Sequence, residues 1–85
     1  MSTYHVFIAA EIIYLLRSCS KHEQQTVTRL LEQLARDPHR TGDYSEPDPI
    51  GRPIQVLITG RYAICFWADH AIKEIKIVDL RRMSR

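Results

Sequence analysis

Thr59-Gly60-Arg61-Tyr62-Ala63-Ile64-Cys65-Phe66-Trp67 is the stretch on which the fold turns. A Thr-Gly-Arg turn leads into a run that is apolar at every position from Tyr62 to Trp67. Strands with one wet face alternate polar and apolar residues; a strand apolar on both sides is covered on both. Alternation puts Tyr62, Ile64 and Phe66 on one face and Ala63, Cys65 and Trp67 on the other. The stretch therefore reads as a central strand, with a partner layer owed to each face.

Its neighbours read as strands too. Before it, "PIQVLIT" (Pro53 to Thr59) places Ile54, Val56 and Ile58 on one face and Gln55 and Leu57 on the other. After it, "IKEIKIVDL" (Ile72 to Leu80) sets Ile75 and Ile77 against Glu74, Lys76 and Val78. The links "TGR" and "ADHA" are of hairpin length. At the N-terminus, "TYHVFIA" (Thr3 to Ala9) is short and rich in aromatic and β-branched residues, and predicts a first strand.

Between the first strand and the other three the period changes. Ile12, Leu15, Leu16 and Cys19 share one helical stripe, which predicts a short helix ending near Ser18. Ser20 and Glu23 then form a capping-box signature, and Val27, Leu30, Leu31 and Leu34 follow at i, i+3, i+4, i+7 spacing. Pro38 disfavours helical geometry at Asp37, so the second helix stops there or just before. "HRTGDYSEPDPIGRP" (His39 to Pro53) is broken by proline and glycine and reads as a long loop, too polar for a strand.

The order is β-α-α-β-β-β. It predicts an α+β fold of one domain, residues 1–85, with an antiparallel-rich four-stranded sheet. A helical hairpin packs on one face. The reverse face would carry Gln55, Leu57, Ala63, Cys65 and Trp67, and awaits a loop, a tail or another protein, since an uncovered apolar patch is unusual on a monomer.

Hydrophobic residues at 45% and charged residues at 26% exclude a disordered chain. No apolar run reaches the roughly 18 residues of a membrane span, and the N-terminus lacks the features of a signal peptide. A cytoplasmic location without membrane association is expected. Cys19 and Cys65 are expected to be reduced, Cys65 as a small core hydrophobe. The four histidines have no ligand spacing with one another or with cysteine, so neither a metal nor a cofactor is expected.

Net charge is +2, unevenly spread. Residues 43–51 hold three acids and no base, while residues 52–85 hold seven bases against three acids. Nine of the twelve bases are arginine, whose planar fork suits phosphates and carboxylates. The second half suits nucleic acid or an acidic partner chain, if it is more than a solvated surface.

With "LLEQLARDP", "GDYSEPDPIGRPIQV", "TGRYAICFWAD" and "KEIKIVDLRR" occurring in that order, the chain resembles the RelE/ParE superfamily of type II toxin–antitoxin toxins, from Tyr4 to Arg82. The resemblance implies a toxin held inactive by a cognate antitoxin. RelE-type members cut mRNA in the ribosomal A site; ParE-type members inhibit DNA gyrase without cutting RNA. RelE-type members carry basic residues on the open sheet face, an arginine directly after the strand tyrosine, and often a tyrosine near the C-terminus. Here Ala63 follows Tyr62, Gln55 and Leu57 stand where lysines would, and no tyrosine follows the last arginines.

On this resemblance Arg61, Arg81 and Arg82 are the candidate catalytic residues, with His70 as the one neutral-pH proton carrier of the second half. Arg52, Arg61, Arg81, Arg82 and Trp67 are the candidate RNA contacts, Trp67 by stacking on a base or, alternatively, packing against the loop or tail. Ribosome-dependent mRNA cleavage is the first expectation. A gyrase-inhibiting toxin, or one without cutting residues, is the alternative, and a plain α+β interaction module is the third. Self-association as a homodimer stays open.

Overall fold

A computed structural model describes residues 3–83. The chain runs β1 (His5–Ile8), α1 (Ala10–Arg17), α2 (Lys21–Arg36), β2 (Tyr44–Pro47), β3 (Pro53–Thr59), β4 (Tyr62–Asp69) and β5 (Glu74–Arg82). The sheet has five strands in the order β1-β5-β4-β3-β2. β1 joins β5 in parallel, and every other pair is antiparallel.

The four strands and two helices expected from sequence are all present, with a fifth strand added. Tyr44–Pro47, expected to lie in a loop, pairs with Pro53–Val56 as an edge strand. Edge strands are short and polar because one side of the ladder faces water, and they tolerate proline. Beyond β2 the chain makes a tight turn over residues 48–52. Asp48 Oδ1 accepts from the backbone N–H groups of Ile50 (3.0 Å) and Arg52 (2.8 Å), and Gly51 sits at φ 87°. Gly42 lies against β3 so closely that a Cβ there would fall 2.4 Å from the Val56 carbonyl oxygen.

The capping box at the start of α2 forms as expected. The Glu23 N–H donates to Ser20 Oγ (3.1 Å), and the Ser20 N–H donates to Glu23 Oε1 (3.0 Å). The α2 stripe of Val27, Leu30, Leu31 and Leu34, with Ile12 of α1, packs on Leu57, Ile64, Phe66, Ile75, Ile77 and Leu80 of the sheet.

Two details of register decide which side chains share a face. Thr59 pairs with Tyr62 across the two-residue turn Gly60–Arg61, with Gly60 at φ 57°. Leu57 therefore stands opposite Ile64 and joins the helix side, while Ile54 and Val56 cluster with Ala63 and Cys65 on the other. This reverses the expected facing of β3: Leu57 does not belong to the open face. The second detail is a bulge between β4 and β5. Cys65 pairs with Asp79 but Phe66 with Ile77, so Val78 is an extra residue and every later side chain of β5 changes face. Asp79 and Arg81 turn to the open face, and Leu80 and Arg82 to the helix side.

Candidate functional site

Strand alternation separates residues that the sequence places side by side, and the bulge decides which of them takes the open face. Arg81 and Arg82 are consecutive, yet they serve opposite faces of the sheet. The expected catalytic group of Arg61, Arg81 and Arg82 is not one cluster. Arg61 and Arg82 line one hollow, Arg81, Arg52 and Trp67 line another, and His70 sits at a third place.

The open-face hollow, about 410 Å³, is floored by Ile54, Cys65 and Trp67 and rimmed by Glu46, Asp48, Arg52, Asp79 and Arg81. Its charges answer one another. Arg81 donates from its Nη2 to Glu46 and from its Nε to Asp79 Oδ2 (3.0 Å). These two carboxylates hold the guanidinium proton more firmly than usual. Arg52 lies over the Trp67 ring, 4.0 Å from its centroid, and faces Asp48 at 3.8 Å. Arg52 thereby occupies the indole as a cation–π partner. Beneath them Val56, Ala63 and Cys65 are almost wholly buried, and burial pushes the Cys65 thiol up, away from the thiolate.

The helix-side hollow, about 480 Å³, lies between the start of α2 and the β3–β4 turn, and is lined by Ser20, His22, Glu23, Thr26, Arg61, Tyr62 and Arg82 among others. Tyr62 donates its hydroxyl to Glu23 Oε2 (2.9 Å), and Cys19 Sγ lies 3.0 Å from the same hydroxyl. The Cys19 contact, burial and the Glu23 charge together raise the Tyr62 phenol well above its usual range. Glu23 is lowered, first by the Ser20 backbone N–H, then by Tyr62, and less by Arg82 at 3.8 Å. Arg61 and Arg82 are the cations of this hollow, and His22 is its one imidazole.

At the opposite end of β4, His70 stacks on His39 with ring centroids 4.8 Å apart, and its Nδ1 meets the Tyr4 hydroxyl at 2.8 Å. Sequence reasoning missed His39, Glu46 and Glu23 as site neighbours. Only the capping box singled out Glu23 in advance, and nothing local marks the other two. Among the described residues no group of three or more His, Cys, Asp or Glu could hold a metal, and no helix is long and apolar enough to cross a membrane.

No family model matches the chain, and no curated protein matches it in sequence. Among solved structures, a chain of the toxin–antitoxin complex RelBE2 from Mycobacterium tuberculosis matches with a TM-score of 0.74 at 16% identity, over 94% of this chain and 98% of that one. The fold is RelE-like. At that identity the likeness speaks for backbone architecture and not for side-chain chemistry, and the two hollows have to be interpreted from their own residues.

Proposed function

We propose that the chain is the toxin component of a type II toxin–antitoxin module, neutralised by a cognate antitoxin, and that it acts by docking on a target protein through the open sheet face. The RelE-like fold supports the first part. The observation that carries the second is Arg81. The central arginine of the face is spent on Glu46 and Asp79, above a floor of Val56, Ala63 and Cys65. Phosphoryl-transfer chemistry needs unpaired positive charge and a proton carrier beside the phosphate. The lining of this hollow has no histidine, and its central cation, Arg81, is matched by two carboxylates. An apolar centre with a polar, charge-paired rim is the anatomy of a protein-binding patch. In the ParE-like version of this reading the target is DNA gyrase.

Ribosome-dependent mRNA cleavage is the second reading, favoured by the helix-side hollow. There Arg61 and Arg82 offset phosphate charge, while His22 takes the 2′-hydroxyl proton. That oxygen attacks phosphorus, and the 5′-oxygen leaves with a proton from water. Neither Arg81 nor His70 takes part in this version.

Tightly controlled expression separates the two. Docking on gyrase predicts arrested growth, lost supercoiling and intact transcripts by primer extension. Codon-proximal cleavage that survives Arg81→Ala but vanishes in Arg82→Ala would establish the ribonuclease and overturn the docking reading. No effect on growth overturns both.

A further inference from the structure

The third place, at the β4–β5 end of the sheet, adjoins the open-face hollow and shares Arg52 and Trp67 with it. A notch of about 310 Å³ there is lined by His39, Arg40, Arg52, Gln55, Trp67 and His70, with proline, threonine and apolar residues between them. That volume is at the lower limit of small-molecule sites. We propose that this notch binds a mononucleotide, the phosphate held by Arg40 and Arg52 and the base lying on the His39–His70 stack beside them. The inference is independent of the toxin reading.

The charged side chains lining the notch, Arg40 and Arg52, are donors only. Arg40 makes no ion pair among the described residues, and none of the residues lining the notch is acidic. Arg52 approaches Asp48 only through its Nε, at 3.8 Å, which leaves its terminal amino groups for another acceptor. The Gln55 oxygen already accepts from the Gly42 N–H at 2.8 Å, so only its NH₂ remains to be satisfied. His70 Nδ1 is engaged by the Tyr4 hydroxyl at 2.8 Å; in the tautomer where Tyr4 donates, Nε2 carries the ring proton. Two arginines with no carboxylate among the lining residues call for an anion, and their forks suit a phosphate.

The same wall offers flat surfaces. Arg52 covers the Trp67 ring at 4.0 Å, which fixes its guanidinium at the edge of the notch, and His39 and His70 stack on each other, 18° from parallel. Both imidazoles are exposed, so a further planar ring can extend that stack. A phosphate alone would use the donors and leave these surfaces idle, and a nucleoside alone would leave the donors unanswered. A mononucleotide uses both.

The experiment is titration of the full chain with adenosine 5′-monophosphate, inorganic phosphate and adenosine, followed by calorimetry and by NMR of the His39, His70 and Trp67 ring signals. Adenosine monophosphate is expected to shift all three, and to bind at least tenfold more tightly than either of its parts. Arg40→Ala removes one charge-assisted contact, so it should weaken binding about tenfold. Arg40 is exposed and free of ion pairs among the described residues, so the variant is expected to fold, which circular dichroism checks. Phosphate binding as well as the nucleotide, an Arg40→Ala variant that binds undiminished, or no nucleotide binding at millimolar concentration would each overturn the proposal. So would binding seen only with longer oligonucleotides.

Discussion

The two faces of the sheet are buried by different means. On the helix side, two helices lay aliphatic side chains onto Leu57, Ile64, Phe66, Ile75 and Ile77. On the other side Ile54, Val56, Ala63 and Cys65 are just as inaccessible, but what stands above them is a lattice of Glu46, Arg81, Asp79, Arg52 and Asp48. Helix burial is non-directional and draws its energy from area removed from water. A roof of partly exposed ion pairs contributes little stability, because the charges remain near solvent. A partner can therefore displace or engage that roof at small cost. One face is committed to folding, while the other keeps its interactions available for exchange.

If that contrast is right, the largest effects of substitution lie on the helix side. Leu34 is fully inaccessible in the middle of the α2 stripe. Leu34→Ala is expected to destabilise by about 2–5 kcal/mol, the range for a buried leucine whose cavity cannot collapse, measured by urea unfolding at constant slope. A loss under 1 kcal/mol would mean the helices are loosely seated and the contrast is false.

Next comes the join between β2 and the sheet. Gly42→Ala would drive a methyl group into the Val56 carbonyl, so the backbone must move or the edge strand must detach. A cost of about 1–3 kcal/mol is expected from overpacking, with faster amide exchange confined to Tyr44–Pro47. Because β2 carries Glu46, the same variant should also release Arg81. Exchange that rises evenly over the whole sheet would show that β2 is not an independent unit.

Arg81→Ala should do far less to stability. The side chain is 45% exposed, and exposed pairs are worth about 0–1 kcal/mol. On the docking reading the variant loses target binding while its unfolding midpoint barely moves. A loss near that of Leu34→Ala would make Arg81 a structural clamp and remove the argument that this face is held ready for a partner.

Much of this architecture was legible in the sequence, and the failures have identifiable causes. The helices were readable because their signals are local: a capping box, a proline stop and a 3.6-residue stripe. The facing of β3 was misread because Ile54, Val56 and Ile58 are the more hydrophobic set of that strand. Counting pairs through a two-residue turn at Gly60–Arg61 would have placed Leu57 against Ile64, so the information was present but outweighed by composition. The β2 strand was missed because edge strands resemble loops in composition. That Arg81 and not Arg82 takes the open face was beyond reach. It depends on Val78 being the bulged residue, and no local pattern in "IKIVDLRR" declares that. Which hollow Arg81 and Arg82 each join follows from that one residue, because a side-chain period of two converts a single insertion into a change of face.

The smallest expected effect concerns the network on the helix side of the contrast. Glu23 is lowered in the folded chain by the Ser20 N–H, the Tyr62 hydroxyl and Arg82. A carboxyl lowered on folding binds its proton more weakly in the native state than in the unfolded one. Its contribution is therefore complete above the ordinary value of 4.5 and is lost as pH falls below it toward the folded value. Tyr62 is raised, so its contribution is complete below the ordinary value of 10 and is lost as pH rises beyond it. Glu23→Gln keeps a side chain able to cap the helix but removes the charge, and so should flatten the acid limb of the stability–pH curve below about pH 4.5 while leaving thermal stability at neutral pH modestly reduced. Tyr62→Phe should leave that acid limb shallower, because one of the donors to Glu23 is gone, and should abolish the part of the alkaline loss that belongs to this phenol. If Glu23→Gln leaves the acid limb as steep as before, the Ser20–Glu23–Tyr62 network does not set it, and Glu23 serves the fold as a helix cap alone.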